Sequence, residues 1–196
     1  MPTRINLPAL SVAWLATCLF ALAECALWWM YHYRWYDRES IAFLATITGG
    51  AFALFAYLKG IEEKRSHAAD KLIQRWNEPS FRAIIDSTRP FVEKDIDSSD
   101  FGRPKYNNKT ATPDQRKLRG DMQTVLGFFE ELSICIFVRT ADEEKLKRFF
   151  EAVVQTGYEG FEQFVLAERR ADKDPAYYKE TQRLVERWTK VRRQDI

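Results

Sequence analysis

Residues 41–58 read IAFLATITGGAFALFAYL, an apolar stretch of 18 residues without a charged side chain. A second apolar run precedes it: residues 7–30 read LPALSVAWLATCLFALAECALWWM, and their one charged side chain is Glu24. A helix of about 20 apolar residues crosses the hydrocarbon of a bilayer. The two runs, joined by the polar and aromatic segment 31–40, therefore predict a transmembrane helical hairpin.

Lysine and arginine are distributed unevenly around this hairpin. Arg4 alone precedes the first run, whereas five basic residues follow the second: Lys59, Lys64, Arg65, Lys71 and Arg75. Because basic residues accumulate on the cytoplasmic side, we expect both termini in the cytoplasm. A cleaved signal peptide is the alternative for the first run, but Glu24 stands where a lipoprotein cleavage site before Cys25 needs a small residue.

The rest of the chain is predicted to be helical throughout. Apolar residues recur at three- and four-residue spacing, and no stretch alternates with the period of a strand. We therefore predict an all-α protein with a transmembrane hairpin over residues 1–60 and a cytoplasmic bundle of about five helices over 61–196. The residues expected to cap or open successive helices are Asn77, Thr112, Thr140 and Asp174, and Arg89-Pro90 is expected to disfavour further helix.

The residues needed for common catalytic and metal sites are scarce. The chain has two histidines and three cysteines, without metal-ligand spacing and without a glycine-rich phosphate loop. We therefore expect no catalytic residue, no metal, no cofactor and no enzymatic activity. The formal net charge of +2 gives little support to direct nucleic-acid binding, which is left open.

The hairpin offers small and polar residues to a helical partner. A carboxylate inside hydrocarbon is costly and is often functional, so Glu24 is the first candidate. Small residues at four-residue spacing allow helix backbones to approach closely. Two interpretations stay open, namely packing of the two spans on each other and assembly of several copies. The predicted membrane or oligomer interface comprises Ala13, Thr17, Glu24, Ala45, Gly49, Gly50 and Ala53.

A second candidate site lies in the bundle around Glu130. This carboxylate follows Phe128-Phe129 and precedes an apolar stretch, so one helical face is expected to bury it. A buried carboxylate needs a partner, and Arg75, Arg82 and Arg169 are the candidates. The interpretation is either an ion pair that fixes helix packing or a ligand-sensing site comprising Arg75, Trp76, Glu130 and Arg169.

The sequence also resembles a widespread group of bacterial proteins with a short membrane hairpin and a helical cytoplasmic domain. The resemblance covers roughly residues 68–189. The residues that carry it are Trp76-Asn77-Glu78-Pro79, Phe81, Val125-Leu126-Gly127-Phe128-Phe129-Glu130-Glu131, Phe149-Phe150, Tyr158, Phe161, Phe164, Arg169, Tyr178, Leu184 and Trp188.

The resemblance implies no catalytic residues and places the chain in the bacterial inner membrane. The architecture is similar to that of two-span effectors, or toxins, of anti-phage systems, including retrons and signal-nucleotide systems. It implies the lipid bilayer and other copies of the chain as partners. It also implies a trigger, either a regulatory protein, a protein–nucleic-acid complex such as a reverse transcriptase with its RNA and DNA, or a signal nucleotide. The alternative function is a non-enzymatic membrane anchor that recruits a protein.

Overall fold

The structure is a computed structural model that describes residues 38–102 and 109–194. It also describes nine positions nearer the N-terminus: Cys18, Ala21, Leu22, Glu24, Cys25, Ala26, Trp28, Trp29 and His32. The side chains of residues 38–41, 44 and 191–194 are outside this description. Within the described residues the secondary structure is helical and contains no strand, so the all-α prediction is confirmed.

From residue 38 onward, the described part of the chain contains five α-helices and one short 3₁₀ helix. Their bounds are α1 Arg38–Asn77, α2 Pro79–Val92, the 3₁₀ helix Ser98–Phe101, α3 Pro113–Phe137, α4 Glu143–Asp172 and α5 Lys179–Gln194. The nine described positions before residue 38 are helical as well. The chain divides into two compact units, Met1–Glu63 and Lys64–Ile196, and the boundary falls within α1.

The starts of α3 and α4 depend on side-chain caps. Thr112 accepts a hydrogen bond from the backbone N–H of Gln115, and the Gln115 side chain accepts one from the N–H of Thr112. This capping box confirms the predicted start of α3. At α4 the cap is Asp142, which accepts from the N–H of Lys145. The expected cap Thr140 instead donates its hydroxyl to the carbonyl of Cys135, a contact that closes the end of α3.

The boundaries around α2 differ from those expected. Asn77 does not cap α2: its Nδ2 donates to the carbonyl of Ile73, so the side chain stays with the end of α1, and Glu78 occupies the cap position without a side-chain bond. Helix α2 also continues past Arg89-Pro90 to Val92. Proline at this position removes one hydrogen bond near the end of the helix, where few further bonds depend on it.

An aromatic cluster forms the core of the second unit. The Trp76 ring lies 5.5 Å from the ring of Phe81, 5.1 Å from that of Phe128 and 5.4 Å from that of Phe150, measured between centroids. All four side chains are buried. Because each comes from a different helix, α1, α2, α3 and α4 meet at Trp76. Burial of one such side chain contributes roughly 1.5–3 kcal/mol.

Two glycines of α4 allow close packing. A Cβ built on Gly160 would lie 2.8 Å from the carbonyl oxygen of Phe91 and 2.9 Å from the Cα of Val92. One built on Gly157 would lie 2.8 Å from the ring of Phe129. These positions therefore lack side chains because the end of α2 and a core ring occupy the space.

Replacement of Gly160 by alanine is predicted to destabilise the protein. The new methyl group meets backbone atoms of α2, which cannot move aside as a flexible side chain can, so we expect a loss of about 1–3 kcal/mol. The measurement is unfolding of the full chain followed by circular dichroism.

Gly127→Ala is the matched control, because a Cβ at Gly127 has no described neighbour within 4 Å. Alanine favours helix over glycine, so this change should stabilise by up to about 1 kcal/mol. Equal stabilisation by both substitutions would show that α2 and α4 do not approach closely.

Candidate functional site beneath the last helix

The buried face of α5 defines the first part of the candidate site. Thr181, Leu184 and Trp188 are almost fully buried, and their three- and four-residue spacing places them on one face. Leu184 and Trp188 supply apolar contact. Thr181 brings a hydroxyl into the same interface, which requires a hydrogen-bond partner from another helix.

Glu130 of α3 supplies that partner. Its Oε2 accepts hydrogen bonds from the Thr181 hydroxyl at 2.7 Å and from the Thr181 N–H at 2.8 Å. Its Oε1 accepts from the N–H of Glu180 at 3.2 Å. The first N–H groups of a helix have no partners within that helix, and they carry partial positive charge. Glu130 therefore caps α5 from a different part of the sequence.

None of the three arginines predicted as partners of Glu130 pairs with it in the described structure. Arg75 pairs with Glu131 at 2.8 Å, and Arg82 donates to Asn77. Consecutive residues of a helix point about 100° apart, so Glu131 faces α1 while Glu130 faces α5.

Arg169 is the third candidate, and it contacts the same end of α5 without pairing with Glu130. Its Nε donates to the carbonyl of Tyr177 at 2.9 Å, and its Nη1 donates to the side chain of Gln182 at 2.9 Å. Its Nη2 is buried and has no hydrogen-bond partner among the described residues. Arg169 and Glu130 therefore hold the start of α5 through different groups.

The four predicted sensing residues do not form one site. Trp76 is a core residue, and Arg75 lies beside it with its guanidinium 4.9 Å from the centroid of the Phe128 ring. Glu130 and Arg169 instead both bind residues in the first turn of α5. The grouping was wrong because neighbouring positions on α1 and α3 face different helices.

The far half of α5 is held by Glu143 at the start of α4. Its Oε1 accepts from the Trp188 indole N–H at 3.3 Å, and its Oε2 accepts from Arg187 at 2.7 Å. Asp174, expected to cap α5, accepts from the N–H of Ala176 within the preceding turn. Helix α5 is thus held at its start and near its middle by carboxylates of other helices.

A buried ion pair was missed in the sequence. Arg119 of α3 donates to Oε1 of Glu168 at 2.9 Å, and it also donates to the carbonyl of Phe101. The Glu168 side chain is fully buried and that of Arg119 is 12% exposed. The sequence signal was the spacing of Glu168 from Phe161, Phe164 and Val165, which places this acid on the apolar face of α4.

Two tyrosines near these groups are poorly suited to act as bases. Burial raises the pKa of Tyr178, and the neighbouring Tyr177 and the carboxylates Glu168 and Glu130 raise it further. Burial also raises the pKa of Tyr158, while Arg169 opposes that shift. Both phenols therefore stay neutral at physiological pH. In the described part of the chain no group of three His, Cys, Asp or Glu side chains is arranged to hold a metal.

The predicted interface residues of the first unit are only partly described. Ala13 and Thr17 lie outside the described residues. Glu24 is helical and exposed. The four small residues on α1, namely Ala45, Gly49, Gly50 and Ala53, are exposed as well. A Cβ built on Gly49 or Gly50 meets no described atom within 4 Å, so these positions have open space beside them.

Considering only the residues that the structure describes, no helix combines the length and the apolar character needed to cross a membrane.

The chain belongs to the family DUF4760, described as a domain of unknown function, whose sequence model matches residues 21–188. The match covers the whole candidate site from Glu130 to Trp188 and most of the first unit. No curated protein and no solved structure matches the chain.

Glu130→Gln is predicted to loosen α5. The amide keeps one acceptor oxygen but removes the negative charge at the helix N-terminus, so we expect a loss of about 1–2 kcal/mol. Glu131→Gln is the matched control, because its ion pair with Arg75 is half-exposed and worth about 0–1 kcal/mol. Hydrogen exchange of the α5 amides should rise in the first variant alone. Equal exchange in both would show that Glu130 does not hold α5.

Arg119→Met is predicted to cost roughly 3 kcal/mol of unfolding free energy, because it leaves the Glu168 carboxylate buried without its cation. Arg89→Met is the control, since Arg89 and its partner Asp86 are both largely exposed. Thermal unfolding of the full chain separates the two. Similar melting temperatures for both variants would contradict a buried ion pair.

Proposed function

We propose that the protein is a membrane effector of anti-phage defence. Residues 1–60 would form a two-helix hairpin in the bacterial inner membrane, with both termini in the cytoplasm. The second unit would sense a trigger, and the hairpins of several copies would then assemble or rearrange so that the membrane leaks. The observation that carries this proposal is the exposure of large apolar side chains in the first unit.

These side chains lie on more than one side of α1. Phe43 is 67% exposed and Phe52 is 72% exposed, and their separation of nine positions places them on opposite sides of the helix, since each residue turns it by about 100°. Leu54 and Tyr57 are also more than half exposed. A helix that is apolar all round needs a protein core or a membrane around it. The described residues provide no such core in the first unit.

The proposal of a membrane hairpin rests on the full sequence of both apolar runs, and not on the described residues alone. The first run lies mostly outside the described residues, and the side chains of Ile41 and Leu44 in the second are not described either. Over residues 41–58 the sequence contains no charge. Length and absence of charge together support a hairpin of the length a bilayer requires.

The second unit supports a sensing role through the way α5 is attached. Glu130, Arg169 and Glu143 hold α5 with charged groups, which a protein or nucleotide ligand of suitable charge can compete for. Helix α1 contains residues of both units, so it provides a continuous covalent path between the sensing domain and the proposed hairpin. The trigger classes remain those implied by the resemblance: a regulatory protein, a protein–nucleic-acid complex or a signal nucleotide.

Glu24→Ala is predicted to alter membrane leakage. A carboxylate in the hairpin is expected at an interface between copies or beside water, where its loss changes assembly. Cells expressing the chain with its neighbouring genes, with and without phage infection, are stained with a membrane-potential dye. Depolarisation on infection should fall several-fold in the variant.

Glu62→Ala is the matched control, because Glu62 is an exposed carboxylate on the same chain beyond the apolar run. It should depolarise like the unchanged protein. If the unchanged protein never depolarises cells under either condition, the effector proposal fails.

The second candidate function is a membrane anchor that recruits a protein partner. The charged attachment of α5 is compatible with this function, since a helix face is also a common protein-binding surface. An anchor requires only that residues 1–58 insert. If the protein is an anchor, replacement of these residues by an unrelated hairpin should leave its function intact. If it is an effector, the same replacement should abolish membrane leakage.

A further inference from the structure

Helix α5 packs on two helices of the bundle and is joined to α4 by six residues. Its buried side chains contact α3 and α4, and its polar attachments come from Glu130 of α3 and from Arg169 and Glu143 of α4. The Phe137 ring of α3 adds a further contact, since the Arg183 guanidinium lies 4.7 Å from its centroid. These residues form what we call the seat of α5, and its specific contacts with α5 extend from Glu180 to Trp188.

The connection before α5 is strained at both ends. Lys173, which directly follows α4, has a φ of 54°, and Tyr178, immediately before α5, has a φ of 53°. Positive φ is uncommon for residues other than glycine, and it is unfavourable for a bulky side chain such as tyrosine. The six residues Lys173–Tyr178 therefore contain two unfavourable backbone conformations in the closed form, in which α5 packs against its own chain.

We propose that α5 exchanges between copies, so that the last helix of one chain occupies the seat of a second copy. Every contact of the seat is re-formed identically in the exchanged state, which is why such exchange costs little. An extended connection would also release Lys173 and Tyr178 from positive φ. Exchange links copies through the cytoplasmic unit, and confinement of the chains to one membrane would favour it by raising their effective concentration.

This inference deepens the proposed assembly of the effector, and only the part about confinement rests on the membrane assignment. Exchange of α5 is measured on the purified full chain, without a leakage readout. A chain that exchanges but never depolarises cells would overturn the effector alone, and a chain that depolarises without exchange would overturn this inference alone.

The test is cross-linking across the seat in mixed copies. Two differently tagged chains lacking Cys18, Cys25 and Cys135 are co-expressed, one carrying Glu143→Cys and the other Arg187→Cys. These side chains form an ion pair at 2.7 Å. A short bismaleimide joins the thiols, because a direct disulfide needs β-carbons about 3.5–4.5 Å apart. Exchange predicts a cross-linked product that carries both tags.

The control pair is Arg75→Cys with Glu131→Cys, whose ion pair at 2.8 Å does not involve α5. Mixed copies with this pair should give several-fold less two-tag product. Each double variant on a single chain should cross-link within that chain, which shows that both contacts are formed. Equal two-tag yields for the two pairs would overturn the exchange.

A substitution in the connection Lys173–Tyr178 provides a second test of exchange that leaves the contacts of the seat unchanged. Lys173 is exposed, and Lys173→Gly removes the penalty of positive φ in the closed form. The two-tag yield should fall several-fold, whereas Lys173→Ala, which keeps the penalty, should leave it unchanged. An unchanged yield in both variants would contradict the role assigned to strain.

Discussion

The contact of Trp76 with the rings of Phe81, Phe128 and Phe150 is the constraint on which the second unit depends. It joins four helices at one point, and it fixes which side of α3 faces inward. With Phe128 and Phe129 turned toward this core, the next residue, Glu130, is turned toward α5. The position of the candidate site is therefore a consequence of aromatic packing one residue earlier in the chain.

Two kinds of charged contact join the helices considered above. The pair of Arg119 and Glu168 joins α3 to α4 within the bundle, where loss of either charge would leave the other buried. Glu130 and Glu143 instead neutralise groups of α5. The first kind fixes the bundle. The second kind holds α5, and both of its carboxylates are only partly buried.

Residues 61–196 were predicted to form helices because apolar spacing and capping signals act over a few residues, and the box at Thr112 and Gln115 shows how well such signals work. The partners of Glu130 and Arg119 could not be predicted in the same way. They depend on helices about 50 residues away in sequence, and periodicity assigns a side chain to a face without naming the helix opposite. The cap of α5 was missed for this reason: it comes from α3, whereas sequence signals point to adjacent residues.

The two units differ in the exposure of their large apolar side chains. In the second unit Phe128, Phe150 and Trp188 are buried by neighbouring helices, while in the first unit Phe43 and Phe52 are exposed in the described structure. Burial of each such side chain contributes roughly 1.5–3 kcal/mol, so contact of the first unit with lipid or protein is favourable. A bilayer covers a helix on every side, and further copies cover one face. In the proposed effector both kinds of contact occur, because small residues such as Gly49 would face a neighbouring helix while phenylalanines would face lipid.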